Sequence, residues 1–305
     1  MVVFDRRSVR AHRDRAADTI HDHDFLLREV GERLADRLDD VRRRFPCALD
    51  LGCHAGTLAG LVNGRGGIET LVQADLSPRM AAAARSDAVP AVAADEEALP
   101  FRDGAFDLVI SLLSLHWVND LPGALTQIRL ALKPDGLFLA AMLGGQTLKE
   151  LRSALAEAEV AHEGGLSPRV APFADVRDAG ALLQRAGFAL PVVDTETITV
   201  SYGDPLRLFR DLRGMGETNA VIARRKTLSR RETLLAAAAR YRQAFVDAEG
   251  RVPATFQVIY LTAWAPDPSQ PRPMRPGSAR SRLADALGNV DNPPGTGGGR
   301  PPHAG

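Results

Sequence analysis

Residues 48–56, Ala-Leu-Asp-Leu-Gly-Cys-His-Ala-Gly, constrain this chain more than any other segment. A short buried strand, Ala48 to Leu51, runs directly into a turn with two glycines, and Thr57 to Val62 reads as the opening of a helix. Such a reversal needs backbone dihedrals and a close approach that glycine tolerates best, at Gly52 and Gly56. Further strands are predicted at 70–74, 91–94, 106–113 and 137–142, alternating with helical stretches, and 106–113 is apolar enough for a central strand covered on both faces. That alternation predicts right-handed βαβ units and a doubly wound α/β sheet.

Around this core the chain is less regular. Residues 1–24 read only as polar and charged, whereas Phe25, Leu26, Leu27, Val30, Leu34 and Leu38 make one stripe of a four-turn helix. Ser77-Pro78 opens a helix as N-cap and first-turn proline. Lys133-Pro134-Asp135-Gly136 should stop the amphipathic helix 121–132. Helices are expected at about 147–161, 176–186, 205–213 and 231–248, with strands at 192–202 and 254–264. The organisation is therefore read as an N-terminal helical extension (1–45), a domain (46–265) with helical insertions at about 147–186 and 204–250, and a tail (266–305). Proline and glycine dominate the tail, which is expected to be disordered.

Charge narrows the partners. Lys+Arg and Asp+Glu both number 38, a balance that speaks against bulk nucleic-acid binding, and no apolar run reaches the ~18 residues of a transmembrane segment. Cys47 and Cys53 match neither a CxxC pair nor a zinc ribbon, so a reducing compartment and no metal site are expected. Arg6, Arg7, Arg10, Arg13 and Arg15 are interleaved with Asp5, Asp14 and Asp18, unlike an acid-poor transit peptide. With no signal-peptide apolar core the chain reads as cytoplasmic, and its richness in Ala and Arg as bacterial.

An acid stands at the end of each early strand: Asp50, then Asp75, then Asp95-Glu96, before Asp103-Gly104-Ala105-Phe106-Asp107. With the glycine turn, this order resembles the class I methyltransferases, which implies a Rossmann-like sheet, mostly parallel with one antiparallel strand, and S-adenosylmethionine as cofactor. The resemblance implies a cofactor site of Asp50, Gly52, Cys53, His54, Gly56, Asp75, Leu76, Asp95 and Glu96. There the helix start would face the methionine carboxylate, Asp50 the amino end, Asp75 the ribose hydroxyls, and Asp95-Glu96 the adenine amine. Asp75 could instead serve Ser77 as an N-cap-like acid. His54 stands where such proteins usually have glycine. It could contact cofactor or substrate, point to solvent, or weaken cofactor binding.

A closer similarity rests on Val3-Phe4-Asp5-Arg6, Ser114-Leu115-His116-Trp117-Val118-Asn119-Asp120-Leu121-Pro122, Gly144-Gly145-Gln146-Thr147-Leu148 and Glu163-Gly164-Gly165-Leu166-Ser167-Pro168. Gly214-Met215-Gly216-Glu217-Thr218-Asn219 and Val252-Pro253-Ala254-Thr255 extend it to about residue 265. These segments resemble the mitochondrial complex I assembly factor 5 family, methyltransferase-like protein-arginine hydroxylases, and its bacterial relatives. The resemblance implies modification, by hydroxylation or methylation, of an arginine on a respiratory complex I subunit, at times peripheral to the inner membrane. A more distant similarity, to the malonyl-carrier-protein O-methyltransferases of biotin synthesis, implies a small-molecule or carrier-protein substrate. A cofactor-binding assembly chaperone without turnover is the third reading.

His116 and Trp117, after the fourth strand, are the catalytic candidates: a histidine to take a proton and an indole face to hold a guanidinium. Glu217 and Asn219 are the substrate candidates, on a glycine-flanked segment that could form a mobile lid or a simple turn. His21-Asp22-His23-Asp24 has His-x-Asp spacing, but its place at a helix start suits exposed charge better than iron. Cys53 has no base near it in sequence.

Overall fold

The computed structural model describes residues 2–271, so the disorder expected of the tail concerns residues that lie, beyond 271, outside the described part. The chain opens with α1 (Arg6–Ala16) and α2 (Phe25–Asp39), then β1 (Cys47–Leu51), α3 (Thr57–Leu61), β2 (Thr70–Asp75), α4 (Pro78–Ala84) and β3 (Ala91–Ala93). β4 (Phe106–Leu112), α5 (Leu121–Ala131), β5 (Leu132–Leu143), α6 (Lys149–Glu163) and α7 (Val176–Arg185) follow. The last elements among the described residues are β6 (Ala189–Tyr202), α8 (Pro205–Gly214), α9 (Arg231–Phe245) and β7 (Val252–Trp264).

Among the described residues, seven strands make one sheet in the order β3-β2-β1-β4-β5-β7-β6. β1 to β5 pair in parallel, while β7 runs antiparallel to both β5 and β6, as the expected sheet with one antiparallel strand requires. The strand order reverses between β1 and β4, where open α/β sheets leave a crevice at the carboxyl ends of the strands. β4 earns its central place from sequence, since Leu108, Val109, Ile110 and Leu112 are all buried.

Two local expectations change. Lys133-Pro134-Asp135-Gly136 does follow the end of α5 at Ala131, but these residues form the irregular start of β5 rather than a separate stop. The register shifts between Phe106 and Leu108, and Asp135 sits at φ 60°, so the strand enters the sheet through a kink. The second change is α1, which sequence reasoning passed over. Asp5 caps it by accepting from the Ser8 N–H, and its buried side chains are Val9, Arg13 and Ala16. Their i, i+4, i+7 spacing is that of a packed helix face, but an arginine stands at its centre, so apolar periodicity does not register it. α2 behaves as expected: Leu26, Leu27, Val30, Leu34 and Leu38 join the same core cluster as the sheet residues Leu108, Ile110 and Leu139.

Candidate cofactor and substrate site

The glycine turn has the geometry its sequence demands. Gly52 sits at φ 76°, and a Cβ there would lie 2.2 Å from the Ser114 side chain. The Gly52 and Cys53 N–H groups donate to the Ala74 carbonyl at 2.7 and 3.0 Å, tying the turn to β2. Gly56, at φ 86°, caps α3 in the left-handed conformation. α3 itself runs for only 5 residues, so the partial positive charge that its start offers the turn is small.

The acids converge behind this turn. Asp75 accepts at Oδ1 from the Ser77 N–H at 2.8 Å, and at Oδ2 from the His54 N–H at 3.1 Å. Asp75 thus braces Ser77, and the Ser77 hydroxyl caps α4 by accepting from the Met80 N–H at 3.0 Å. Glu96 is fully buried and accepts from the Ser114 hydroxyl at 2.6 Å. Burial pushes the Glu96 carboxyl up, but the Arg13 and Arg6 guanidinium groups outweigh it and pull it down to about 2. Asp95 is half-exposed and accepts from Arg6 at 2.6 Å. Asp50 is sealed from solvent, touched by Gln73 Nε2 at 3.4 Å, and burial pushes it up to about 7.

Sequence reasoning missed the group that ties these acids together. The Arg13 guanidinium, from α1, is 1% exposed and lies 3.2 Å from Asp75 Oδ2 and 3.3 Å from Glu96 Oε1. It also donates to the Ser114 hydroxyl at 2.8 Å. Arg6, from the same helix, reaches Asp95 and Glu96. The signal was available only as arginines in a region without apolar periodicity, which normally means a solvated face.

His54 does not point to solvent: it is buried, at φ 49°, with Nε2 3.1 Å from the Leu112 carbonyl. A carbonyl only accepts, so Nε2 carries the proton and Nδ1 is the basic nitrogen, buried without a partner among the described residues. Burial, helped by Arg13, lowers the pKa of the imidazole and keeps it neutral. Cys53 is buried, its Sγ 3.4 Å from the His54 carbonyl, and burial pushes the thiol well above its ordinary value. Leu76 packs with the Phe4–Trp117 cluster beside the turn.

His116, Trp117 and Glu217 come together although 100 residues separate them. Glu217 accepts from His116 Nε2 at 3.0 Å and from Trp117 Nε1 at 2.9 Å. Burial raises the Glu217 carboxyl, but the His116 imidazole beside it wins and holds it below its usual value. The Trp117 ring meets Phe4 edge-on at 5.2 Å. Glu217, Trp117 and His54 line a cavity of about 550 Å³ whose other walls include Leu143, Leu151 and Phe256. Asn219 reaches this cavity too, but its amide is spent on the fold: Nδ2 donates to the Pro168 carbonyl at 2.7 Å and Oδ1 accepts from the Val221 N–H at 3.0 Å. The 214–219 segment is packed rather than free, since a Cβ on Gly214 would lie 2.0 Å from the His23 ring.

His21 and His23 are not gathered. His23 Nδ1 faces Asp211 at 2.9 Å, Asp24 pairs with Arg28, and among the described residues no group of three or more His, Cys, Asp or Glu is placed to hold a metal. No helix among them is long and apolar enough to cross a membrane.

A family profile described as a methyltransferase domain matches residues 49–140, from within β1 to within β5. The human arginine-hydroxylase NDUFAF5, a mitochondrial protein, is 47% identical over 299 residues, covering 96% of this chain and 86% of its own length. The chain belongs to the NDUFAF5 arginine-hydroxylase family. This family member is also 38% identical to a malonyl-acyl-carrier-protein O-methyltransferase of Halorhodospira halophila, over 86% of this chain and 88% of that protein. The solved YcgJ protein of Bacillus subtilis shares the fold, with a TM-score of 0.54 at 16% identity, over 77% of this chain and 98% of that one.

The chain is accordingly a methyltransferase-like enzyme, and its cofactor is S-adenosylmethionine. Its residues fit that group. Asp50, Asp75, Asp95 and Glu96 are acceptors suited to hydroxyls, an exocyclic amine and a cationic amino end. Asp50 Oδ1 is buried and has no partner among the described residues, an acceptor still to be satisfied.

Proposed function

We propose that this chain modifies an arginine side chain on a partner protein, a subunit of respiratory complex I, beside an S-adenosylmethionine site at the carboxyl ends of β1, β2 and β3. The observation that carries this is Glu217. It is an anionic carboxylate held rigidly by His116 and Trp117 in the wall of the cavity that His54 also lines. A fixed carboxylate is the group that reads a guanidinium through paired, charge-assisted hydrogen bonds. The name of the human relative assigns arginine hydroxylation to that protein, and the extent of the similarity supports the same substrate class here.

In this reading Asp75 takes the ribose hydroxyls, Asp95 and Glu96 the adenine amine, and Asp50 the amino end of the cofactor. Gly52, Cys53, Gly56 and Leu76 shape the turn against it. S-adenosylmethionine, when bound, supplies a sulfonium that is either an electrophile or a fixed positive charge. His116 positions Glu217, and the neutral His54 imidazole accepts a proton at Nδ1. The two cysteines are unpaired, as suits a bacterial cytoplasm, where the substrate would be met at the membrane periphery.

A second reading, carrier-protein O-methylation, is favoured by one observation. The cavity is mostly apolar and is bordered by Arg213, Arg224 and Arg225, a lining that suits an acyl chain with a carboxylate. Mass spectrometry of complex I subunits from a wild-type and a deletion strain separates the readings. A gain of about 16 Da on an arginine peptide means hydroxylation and about 14 Da means methylation. Biotin auxotrophy on deletion with no such gain would move the assignment to the carrier protein. Neither phenotype would leave an assembly chaperone without turnover.

A further inference from the structure

The Asp75 carboxylate has too few free positions to serve both the fold as it stands and a ribose. A carboxylate offers about four lone-pair positions, two on each oxygen. Oδ1 uses one on the Ser77 N–H, while Oδ2 uses one on the His54 N–H and the other on Arg13. A ribose diol bound across both oxygens needs a position on Oδ2, and only Arg13 can release one, because the His54 N–H belongs to the turn itself. Glu96 repeats the pattern: Oε1 holds the Ser114 hydroxyl and Arg13, and Oε2 holds Arg6. The Arg13 guanidinium therefore lies between the acids where a ligand would have to lie, and it is 1% exposed.

We propose that α1 is the gate of the cofactor site: Arg13 seats on Asp75 and Glu96 until the cofactor displaces it, so that cofactor loading and the seated α1 exclude one another. This rests on the reading of Asp75 as the ribose acceptor. The construction of α1 suits a gate. Its start is pinned, with the Val3 and Phe4 N–H groups donating to Asn119 Oδ1 at 2.8 and 2.7 Å. Its far end passes into the short 3₁₀ turn Ile20–Asp22 before α2. Between these points α1 buries only Val9 and Ala16 as apolar side chains and is otherwise held by polar contacts, Arg13 and Arg6 on the acids and Asp14 on the Ser77 hydroxyl, with Asp18 just beyond it on Arg79 at 2.6 Å. The polar contacts can be exchanged for those of a polar ligand, and the helix has only Val9 and Ala16 to draw from the apolar core as it yields.

The gate also touches the segment that carries Glu217. His12 Nδ1 lies 3.0 Å from the Thr218 carbonyl, and Arg15 donates to the Thr218 hydroxyl at 3.2 Å. Gly216, at φ 82°, leaves room where a Cβ would come within 3.4 Å of the Arg13 backbone. Displacing α1 therefore loosens the support of Glu217, and cofactor loading reaches the arginine-binding wall of the cavity through this helix.

The test is calorimetric titration of the full chain and of Arg13→Ala with S-adenosylhomocysteine, together with hydrogen–deuterium exchange of residues 6–16. Removing the competing guanidinium should tighten Kd by about tenfold or more. In the wild-type chain the amides of α1 should exchange faster when the ligand is bound. Equal or weaker binding by Arg13→Ala, or slower exchange in α1 on binding, overturns the gate while leaving the cofactor site standing. No binding by either chain at millimolar ligand overturns the cofactor assignment and the gate with it. The exchange experiment needs no variant, so a poorly folded Arg13→Ala does not spare the proposal.

Discussion

Glu217 bridges His116 and Trp117, accepting from Nε2 of the first at 3.0 Å and from Nε1 of the second at 2.9 Å. This joins the turn after β4 to the segment after α8, and it converts two buried donors into a device that presents a carboxylate to the cavity. Glu217→Gln keeps the shape and one acceptor oxygen but removes the charge. We expect the fold to survive, with a thermal midpoint within a few degrees of wild type, and arginine modification to fall ~100-fold. Glu217→Ala leaves both donors unpaired and should cost in addition about 1–3 kcal/mol of stability. Thermal melts beside mass spectrometry of the target peptide separate the two effects.

Acid stability should depend on Glu96. Its carboxyl lies at about 2 in the fold against an ordinary 4.5. A lowered carboxyl pKa contributes stability that is fully present above 4.5 and is lost as pH falls toward 2. The contribution is on the order of 3 kcal/mol. Urea unfolding between pH 7 and pH 2 should show this loss, and Glu96→Gln should flatten it. A Glu96→Gln curve as steep as wild type would show that other carboxylates carry the acid limb.

Asp50 works in the opposite direction. Burial raises it to about 7 from 3.8, so the fold prefers the protonated form. That preference supports the fold fully below 3.8 and is lost as pH rises through about 7. Asp50→Asn supplies a neutral side chain of the same shape at every pH. Its thermal midpoint should exceed that of wild type by an amount that widens from pH 4 to pH 8. A constant difference across that range would contradict the assignment.

Asn119 fastens the N-terminus through three hydrogen bonds: two from the Val3 and Phe4 N–H groups to Oδ1, and one from Nδ2 to the Phe4 carbonyl at 3.1 Å. Asn119→Ala should leave these backbone groups unpaired, at a cost of roughly 2 kcal/mol. Limited proteolysis is the check, with cleavage within residues 1–20 expected to quicken several-fold while the sheet stays protected.

Much of the sheet was legible because strands buried on both faces write themselves as apolar runs. The strands expected at 48–51, 70–74 and 106–113 are observed at 47–51, 70–75 and 106–112, each terminus within one residue. The start of β5 was not legible, because a lysine, a proline and an aspartate read as a helix stop whether or not a strand begins there. The acids at strand ends were visible as residues, whereas their shared partner was not. Arg13 sits where periodicity expects an apolar side chain, and local patterning cannot know that buried carboxylates wait opposite.

By itself, then, the sequence determined the βαβ order, the glycine turn and the acids that a cofactor needs, because each depends on neighbours close along the chain. Only the tertiary structure decided that Arg13 lies on Asp75 and Glu96, that His54 turns inward to the Leu112 carbonyl, and that Glu217 meets His116 across 101 positions. The reason is electrostatic. A buried charge is tolerated only where an opposite charge or a hydrogen-bond donor is brought to it, and in this chain those partners come from elements far apart in sequence.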